Sequence, residues 1–372
     1  MRILAQLSRF FVGVLFIISG FIKANDPLGF SYKLDEYFQV FHMPWLTHVS
    51  LIMAVLICAF EIGLGFALLL GAKMKFTSWS LLLMIIFFTF LTFYSWKFDV
   101  VKDCGCFGDA LHLTPYQSFM KDVVLFILIL FVFIKRNDIR PLMSERIAGW
   151  FAYFGFAGSL FFSIYCIRHL PVIDFRPYAI GKSIPDGMKL PPNAITDSVA
   201  MIFIYEKDGK QMELGMDELK NIDETYTFVD RKDKLIREGD KAPIHDFKIS
   251  ATDGTDVTND ILSHDQIFLL VSYDISHADE QVQGKVNDFV ALCQKAGVEF
   301  VGFTASSPKE VEAFRHKHNS AFEYYNADGT MLKTMVRSNP GLMLLKKGTV
   351  TAMWHSNDFP TFDEVNKMYL HK

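Results

Sequence analysis

Hydrophobic residues are arranged in two different ways along this chain. Up to about residue 168 they form long runs, and beyond it they alternate with charges and turn residues. Five early runs, at 4–24, 48–71, 76–96, 117–135 and 147–167, reach the ~17 to 25 residues a helix needs to cross ~30 Å of hydrocarbon. The pattern predicts a bundle of five transmembrane helices over 1–168. The first run begins after Arg2 as a secretory leader would. Arg9 interrupts it, however, no small-x-small cleavage site follows, and further spans come after, so it is read as a retained anchor.

The second half reads as water-soluble. A connecting segment over 169–240 opens with His169-Leu170-Pro171-Val172, whose proline favours extended backbone, and continues through aromatics able to lie on a membrane surface. Within it, Ser198 to Tyr205 and Gln211 to Leu214 flank an Asp208-Gly209 turn and predict a hairpin; Tyr226 to Val229 predicts another strand. Over 241–372 the pattern alternates. Strands are expected at Ile267 to Tyr273 and Glu299 to Thr304, and helices at Glu280 to Ala296 and Pro308 to His318. A hairpin follows on Lys347-Gly348, then a helix over Phe362 to Tyr369.

Composition adds setting rather than chemistry. The chain is 51% apolar with 37 phenylalanines, and its net charge of -4 says little about partners. With no basic stripe, zinc-finger spacing or RNA-binding aromatic motif, nothing points to nucleic acid. The position of the basic residues is more informative. Arg2, Arg9, Lys73, Lys75, Lys135, Arg136, Arg140 and Arg146 fall at one set of helix ends, while the connections 25–47 and 97–116 carry acids beside their lysines. The positive-inside rule then predicts the N-terminus inside and the soluble half on the outer, periplasmic side of an inner (cytoplasmic) membrane.

Candidate chemistry centres on Asp103-Cys104-Gly105-Cys106-Phe107-Gly108, between the third and fourth runs. The chain has five cysteines, and two lie here, one glycine apart. On the outer face disulfides persist, and such a pair can close a strained ring or pass its oxidation to another protein. Cys104 and Cys106 are therefore the candidate catalytic residues. The plainer reading is a membrane loop turning on Gly105 and Gly108 around two small half-buried thiols. Asp103 and Asp109 should raise a nearby thiol pKa, while Lys97 and Lys102 pull the other way. Tyr94, Trp96 and Lys97 form an interfacial belt anchoring the loop. Cys104, Cys106 and His112 are one ligand short of a zinc site, so no metal is assigned.

Glu61 lies in the middle of the second run. An ionised carboxylate there costs several kcal/mol unless paired, so Glu61 is protonated, bonded to another helix, or engaged with a quinone, a proton or a thiol. Cys58, three residues back on the same face, reads as core. In the first run, Gly13 and Gly20 allow close helix approach, and Arg9 and Lys23 near its two ends can snorkel to the headgroups; packing is the reading favoured for most of these residues.

Arg9, Ser19-Gly20 and Lys23, then Glu61, then the Cys-Gly-Cys-Phe-Gly motif after a third span together resemble the DoxX-like superfamily, and within it the MauE branch named for methylamine utilisation. The resemblance covers about 1–140. It implies a small helical membrane bundle, a role in forming or maintaining disulfides of exported proteins and, in distant members, a link to quinones. The order of elements over 241–372 resembles a thioredoxin-like or peroxiredoxin-like domain. Lys241-Ala242-Pro243-Ile244-His245-Asp246-Phe247 stands at its opening, and Asn339-Pro340 where such domains carry a cis-proline. Where its Cys-x-x-Cys would fall, this chain has Ser272-Tyr273-Asp274-Ile275-Ser276-His277-Ala278. Cys293 lies inside a helix and His277 in a solvated turn. Two functions follow: a membrane thiol-disulfide oxidoreductase working through Cys104 and Cys106 on an exported protein, or a non-catalytic scaffold that presents a pseudo-thioredoxin domain.

Overall fold

The computed structural model describes residues 2–370 apart from 102–104, 112, 140, 193, 196–197, 208, 217, 224 and 238. Cys104 and His112 therefore lie outside the described residues. Among the described residues, five helices are long and apolar enough to cross a membrane: α1 (Arg2–Asn25), α3 (Ser50–Leu70), α4 (Met74–Phe98), α5 (Pro115–Ile134) and α6 (Glu145–Arg168). These match the five apolar runs, and the protein is a membrane protein.

Between α1 and α3 lies a helix the apolar runs do not reveal, α2 (Pro27–Val40). Asp26 caps it by accepting from Gly29 N–H, and Pro27 sits in the first turn, where a missing N–H costs nothing. Its buried residues, Pro27, Phe30, Ser31, Leu34, Tyr37 and Phe38, recur at helical spacing; Phe30, Leu34 and Phe38 pack against α3, and Tyr37 against Leu91 of α4. α1 and α3 approach closely. A Cβ on Gly13 would lie 2.6 Å from Leu69 Cγ, and one on Gly65 2.9 Å from the Gly13 carbonyl, so the sequence-predicted role of Gly13 is a packing one.

A short helix α7 (Ile184–Gly187) leads into a three-stranded antiparallel sheet ordered β2-β1-β3: β1 (Ser198–Lys207), β2 (Lys210–Gly215) and β3 (Thr227–Arg237). The hairpin turns where expected, with Lys207 paired to Lys210 and Gly209 at φ +73°.

The last part is a six-stranded sheet ordered β4-β7-β6-β5-β8-β9. Its strands are β4 (Ile249–Ser250), β5 (Ile267–Val271), β6 (Glu299–Thr304), β7 (Tyr324–Ala327), β8 (Gly341–Lys346) and β9 (Thr349–His355). The helices are α8 (Thr258–Ser263), α9 (Gln283–Ala296), α10 (Pro308–His318), α11 (Gly329–Met335) and α12 (Phe362–Val365). β5, β6 and β7 run parallel, β8 and β9 antiparallel, and the Asn339-Pro340 bond before β8 is cis. This is the thioredoxin-like arrangement. β5 is covered on both faces: Ile267, Leu269 and Val271 face one core, Phe268 and Leu270 the other. Tyr178 and Ile184, from the connecting segment, pack into the first of these cores. The closing helix is shorter than expected, since after Val365 the chain winds into a π-type turn over Asn366–Leu370.

Candidate functional site

The Cys-containing loop is held from beneath by α1. Its glycines take the left-handed conformation, Gly105 at φ +66° and Gly108 at φ +48°, which a side chain would resist. Between them, the Cys106 carbonyl accepts from Ser19 Oγ at 3.0 Å and from Lys23 Nζ at 3.3 Å. Lys23 also donates to Ser19 at 2.7 Å and lies 2.7 Å from Glu61 Oε2 on α3. Both charged side chains are 3% exposed.

This geometry decides how the two basic residues of α1 are used. Lys23 does not reach the headgroups; Glu61 draws it inward, because two charges buried apart would each carry several kcal/mol of desolvation. Arg9 does not snorkel either. It donates to the carbonyls of Leu68 and Leu69, satisfying the C-terminal end of α3. Of the readings open for Glu61, bonding across helices is the one observed. Cys58 is fully buried in the same core.

A second pair was not singled out in the sequence. Asp122, 1% exposed on α5, lies 2.7 Å from Lys121 Nζ and accepts from Thr92 Oγ1 of α4 at 2.9 Å. Two adjacent charges at the start of an apolar run look like an interfacial flank, which is why they passed unremarked. A cavity of about 30 Å³ joins the two pairs, lined by Lys23, Glu61, Cys106, Lys121 and Asp122 among others. Its size suits about one or two waters, and its lining offers the polar partners they need.

Above the loop sits the α/β domain. Arg337, three residues before Pro340, is 6% exposed and places Nε 2.9 Å from both carboxylate oxygens of Asp26, with Nη2 3.4 Å from Asp109. It also donates to the Lys333 carbonyl. Burial alone would raise the Asp26 pKa, but the Arg337 guanidinium outweighs it and holds the carboxyl below its ordinary range. Asn25 clasps the backbone of Ile173, donating to its carbonyl at 2.7 Å and accepting its N–H at 3.0 Å. Tyr273, in the turn where a Cys-x-x-Cys would fall, meets Tyr32 of α2, hydroxyl to hydroxyl at 3.4 Å. The Cys loop, α2 and the α/β domain thus share one end of the bundle. A cleft of about 510 Å³ lies between them, lined by Gly105, Gly108 and Lys23 on one side and Lys333 and Arg337 on the other.

The remaining sequence-predicted groups fall outside this site. Cys293 is buried in α9, and burial pushes its thiol up to about 12, out of reactive range. His277 is 81% exposed beside Asp274. Among the described residues no group of three or more His, Cys, Asp or Glu could hold a metal ion.

Residues 1–135 match the family model described as methylamine utilisation protein MauE. The MauE-like domain covers the first four spans, Glu61 and the Cys loop. Residues 199–238, the three-stranded sheet, match a domain of unknown function. Protein TlpB of Flavobacterium psychrophilum is 25% identical over 138 residues, which span 35% of this chain and 37% of that protein. Two solved structures are similar over about a third of the chain. One is a candidate protein disulfide isomerase of Bacteroides thetaiotaomicron, at 19% identity and TM-score 0.27, covering 33% of this chain and 82% of that one. The other is the Xanthomonas campestris bacterioferritin comigratory protein, at 15% identity and TM-score 0.25, covering 32% and 86%.

Proposed function

We propose that this protein is a membrane thiol-disulfide exchange protein in which Cys104 and Cys106 react with cysteines of an exported protein on the outer face of the inner membrane. The observation that carries this reading is the setting of Cys106. It sits on a loop fixed by two left-handed glycines, over a buried Lys23–Glu61 pair and next to a cleft of about 510 Å³ lined by the neighbouring Gly105 and Gly108. Ionisable residues buried within a membrane bundle mark functional sites more often than simple turns, which favours a role for the loop above them.

In this account the α/β domain does no thiol chemistry. The turn that would carry a Cys-x-x-Cys packs on α2, and the Arg337–Asp26 contact makes the domain a fixed wall of the cleft. A client cysteine enters between that wall and the loop. The test is non-reducing electrophoresis of cells expressing Cys104→Ser, Cys106→Ser and the double variant. Removing one sulfur leaves the other unable to resolve an attack, so a single variant accumulates a mixed disulfide with its partner that the double variant lacks. If neither single variant traps a partner and the double variant is fully functional, the exchange reading is wrong.

A further inference from the structure

Of the two cysteines of the loop, Cys106 is the one whose surroundings the structure describes. Cys106 lines the 30 Å³ cavity together with Lys23, Glu61, Lys121 and Asp122, and its thiol is within electrostatic reach of the Lys23 ammonium. We propose that Cys106 is the sulfur that carries negative charge when a Cys104–Cys106 bond opens, and that Lys23 and Glu61 together set how readily it does so. This rests on the exchange reading above and assigns the two sulfurs different roles within it.

The step balances without a third reactant. A client thiolate attacks Sγ of Cys104, a bond forms between client and Cys104, and the Cys104–Cys106 bond breaks with its electron pair leaving on Cys106. A second client thiol then attacks the mixed disulfide and releases Cys104. One client dithiol becomes a disulfide, the protein's disulfide becomes two thiols, and both protons pass from client to protein. In the reverse direction the same sulfur bears the charge.

The charges facing Cys106 come from every neighbouring element. Lys23 lies on α1, Glu61 on α3, and Lys121 with Asp122 on α5. Lys33 of α2 packs beside Gly105, and Asp109 lies on the loop itself. Around the cavity, two ammonium groups and two carboxylates cancel. Removing one cation leaves the thiolate facing net negative charge, and removing one anion leaves it facing net positive charge. The two single changes therefore have opposite signs. An opposite charge within ~4 to 6 Å moves a pKa by about 1 to 3 units.

The test uses full-length protein in detergent carrying Cys104→Ser, with the rate of Cys106 alkylation by iodoacetamide followed against pH by peptide mass spectrometry. Adding Lys23→Met raises the midpoint by about one unit or more, slowing alkylation about tenfold at pH 7. Adding Glu61→Gln lowers it by a similar amount, and the double change returns it close to the start. Loss of structure would move both single variants the same way, so parallel shifts or none overturn the assignment. Mixed-disulfide trapping separates this from the exchange reading. A partner trapped by Cys106→Ser and not by Cys104→Ser supports the assignment, and the opposite pattern overturns it while exchange itself stands. No trapped partner in either variant overturns exchange.

Discussion

The contact between Arg337 and Asp26 fixes the α/β domain over the Cys loop, and its strength can be worked from its surroundings. The guanidinium is 6% exposed and the carboxylate 19%, so each change leaves a mostly buried charge behind. Breaking a buried pair from one side costs ~3 to 5 kcal/mol, and the lower end applies to Asp26→Asn because Asp109 remains near Arg337. About 3 kcal/mol is a factor of about 150 in the equilibrium between docked and undocked domain. The reporter is the Ile173 amide, which donates across the interface to Asn25 Oδ1. Hydrogen exchange of a peptide covering 172–176 should speed by about two orders of magnitude in Asp26→Asn and in Arg337→Gln. Asp26→Leu with Arg337→Met removes both charges of the pair, leaving only the more exposed Asp109 without the guanidinium, and should cost less than the two single changes combined. The pH dependence follows from the lowered Asp26 pKa. Its contribution is full above the ordinary carboxylate value near ~4 and is lost as pH falls through the lower folded value. Intrinsically corrected exchange at Ile173 should therefore be flat from about pH 5 to 8 and rise below about pH 4, with Asp26→Asn removing the rise. Unchanged exchange in both single variants would refute the clamp.

Three further outcomes are expected. Glu61→Gln keeps a polar partner for the buried Lys23 and costs ~3 kcal/mol, the lower end for a one-sided change, whereas Glu61→Lys sets a second ammonium against Lys23 and costs more, read as a greater loss of folded protein on detergent extraction. Gly65→Ala places a methyl 2.7 Å from Ile17 Cγ1 and lowers the thermal midpoint by an amount matching ~1 to 3 kcal/mol, while Gly158→Ala, with nothing within 4 Å, leaves it unchanged. A membrane-impermeant thiol probe labels a cysteine introduced within 205–212 from outside whole cells and not one within 136–140; the reverse pattern inverts the topology.

Much of the architecture was legible because it is written in local periodicity. The five spans are unbroken apolar runs, and the order of the α/β elements follows from alternation and turn residues. Helix α2 was not, since hydropathy alone averages its buried Phe30, Leu34, Tyr37 and Phe38 with the charges between them. The Asp26-Pro27 cap was the signal available. Glu61 stood out as a carboxylate in hydrocarbon, yet its partner could not be chosen from sequence, because Lys23 sits at a span end where lysines ordinarily meet headgroups. Arg337 carries no local signal at all. Its burial arises only when a loop of one domain meets the cap of a helix in the other.

The redox state of Cys104 and Cys106 in intact cells tests the central claim most directly. Cells are quenched in acid, alkylated, reduced and alkylated again with a second mass label, before and after exposure to a membrane-impermeant reductant. Exchange on the outer face predicts that a fraction of the pair is disulfide-bonded, that the reductant removes it, and that it returns when the reductant is washed out. Two thiols that are fully alkylated at the first step under every condition would contradict the account.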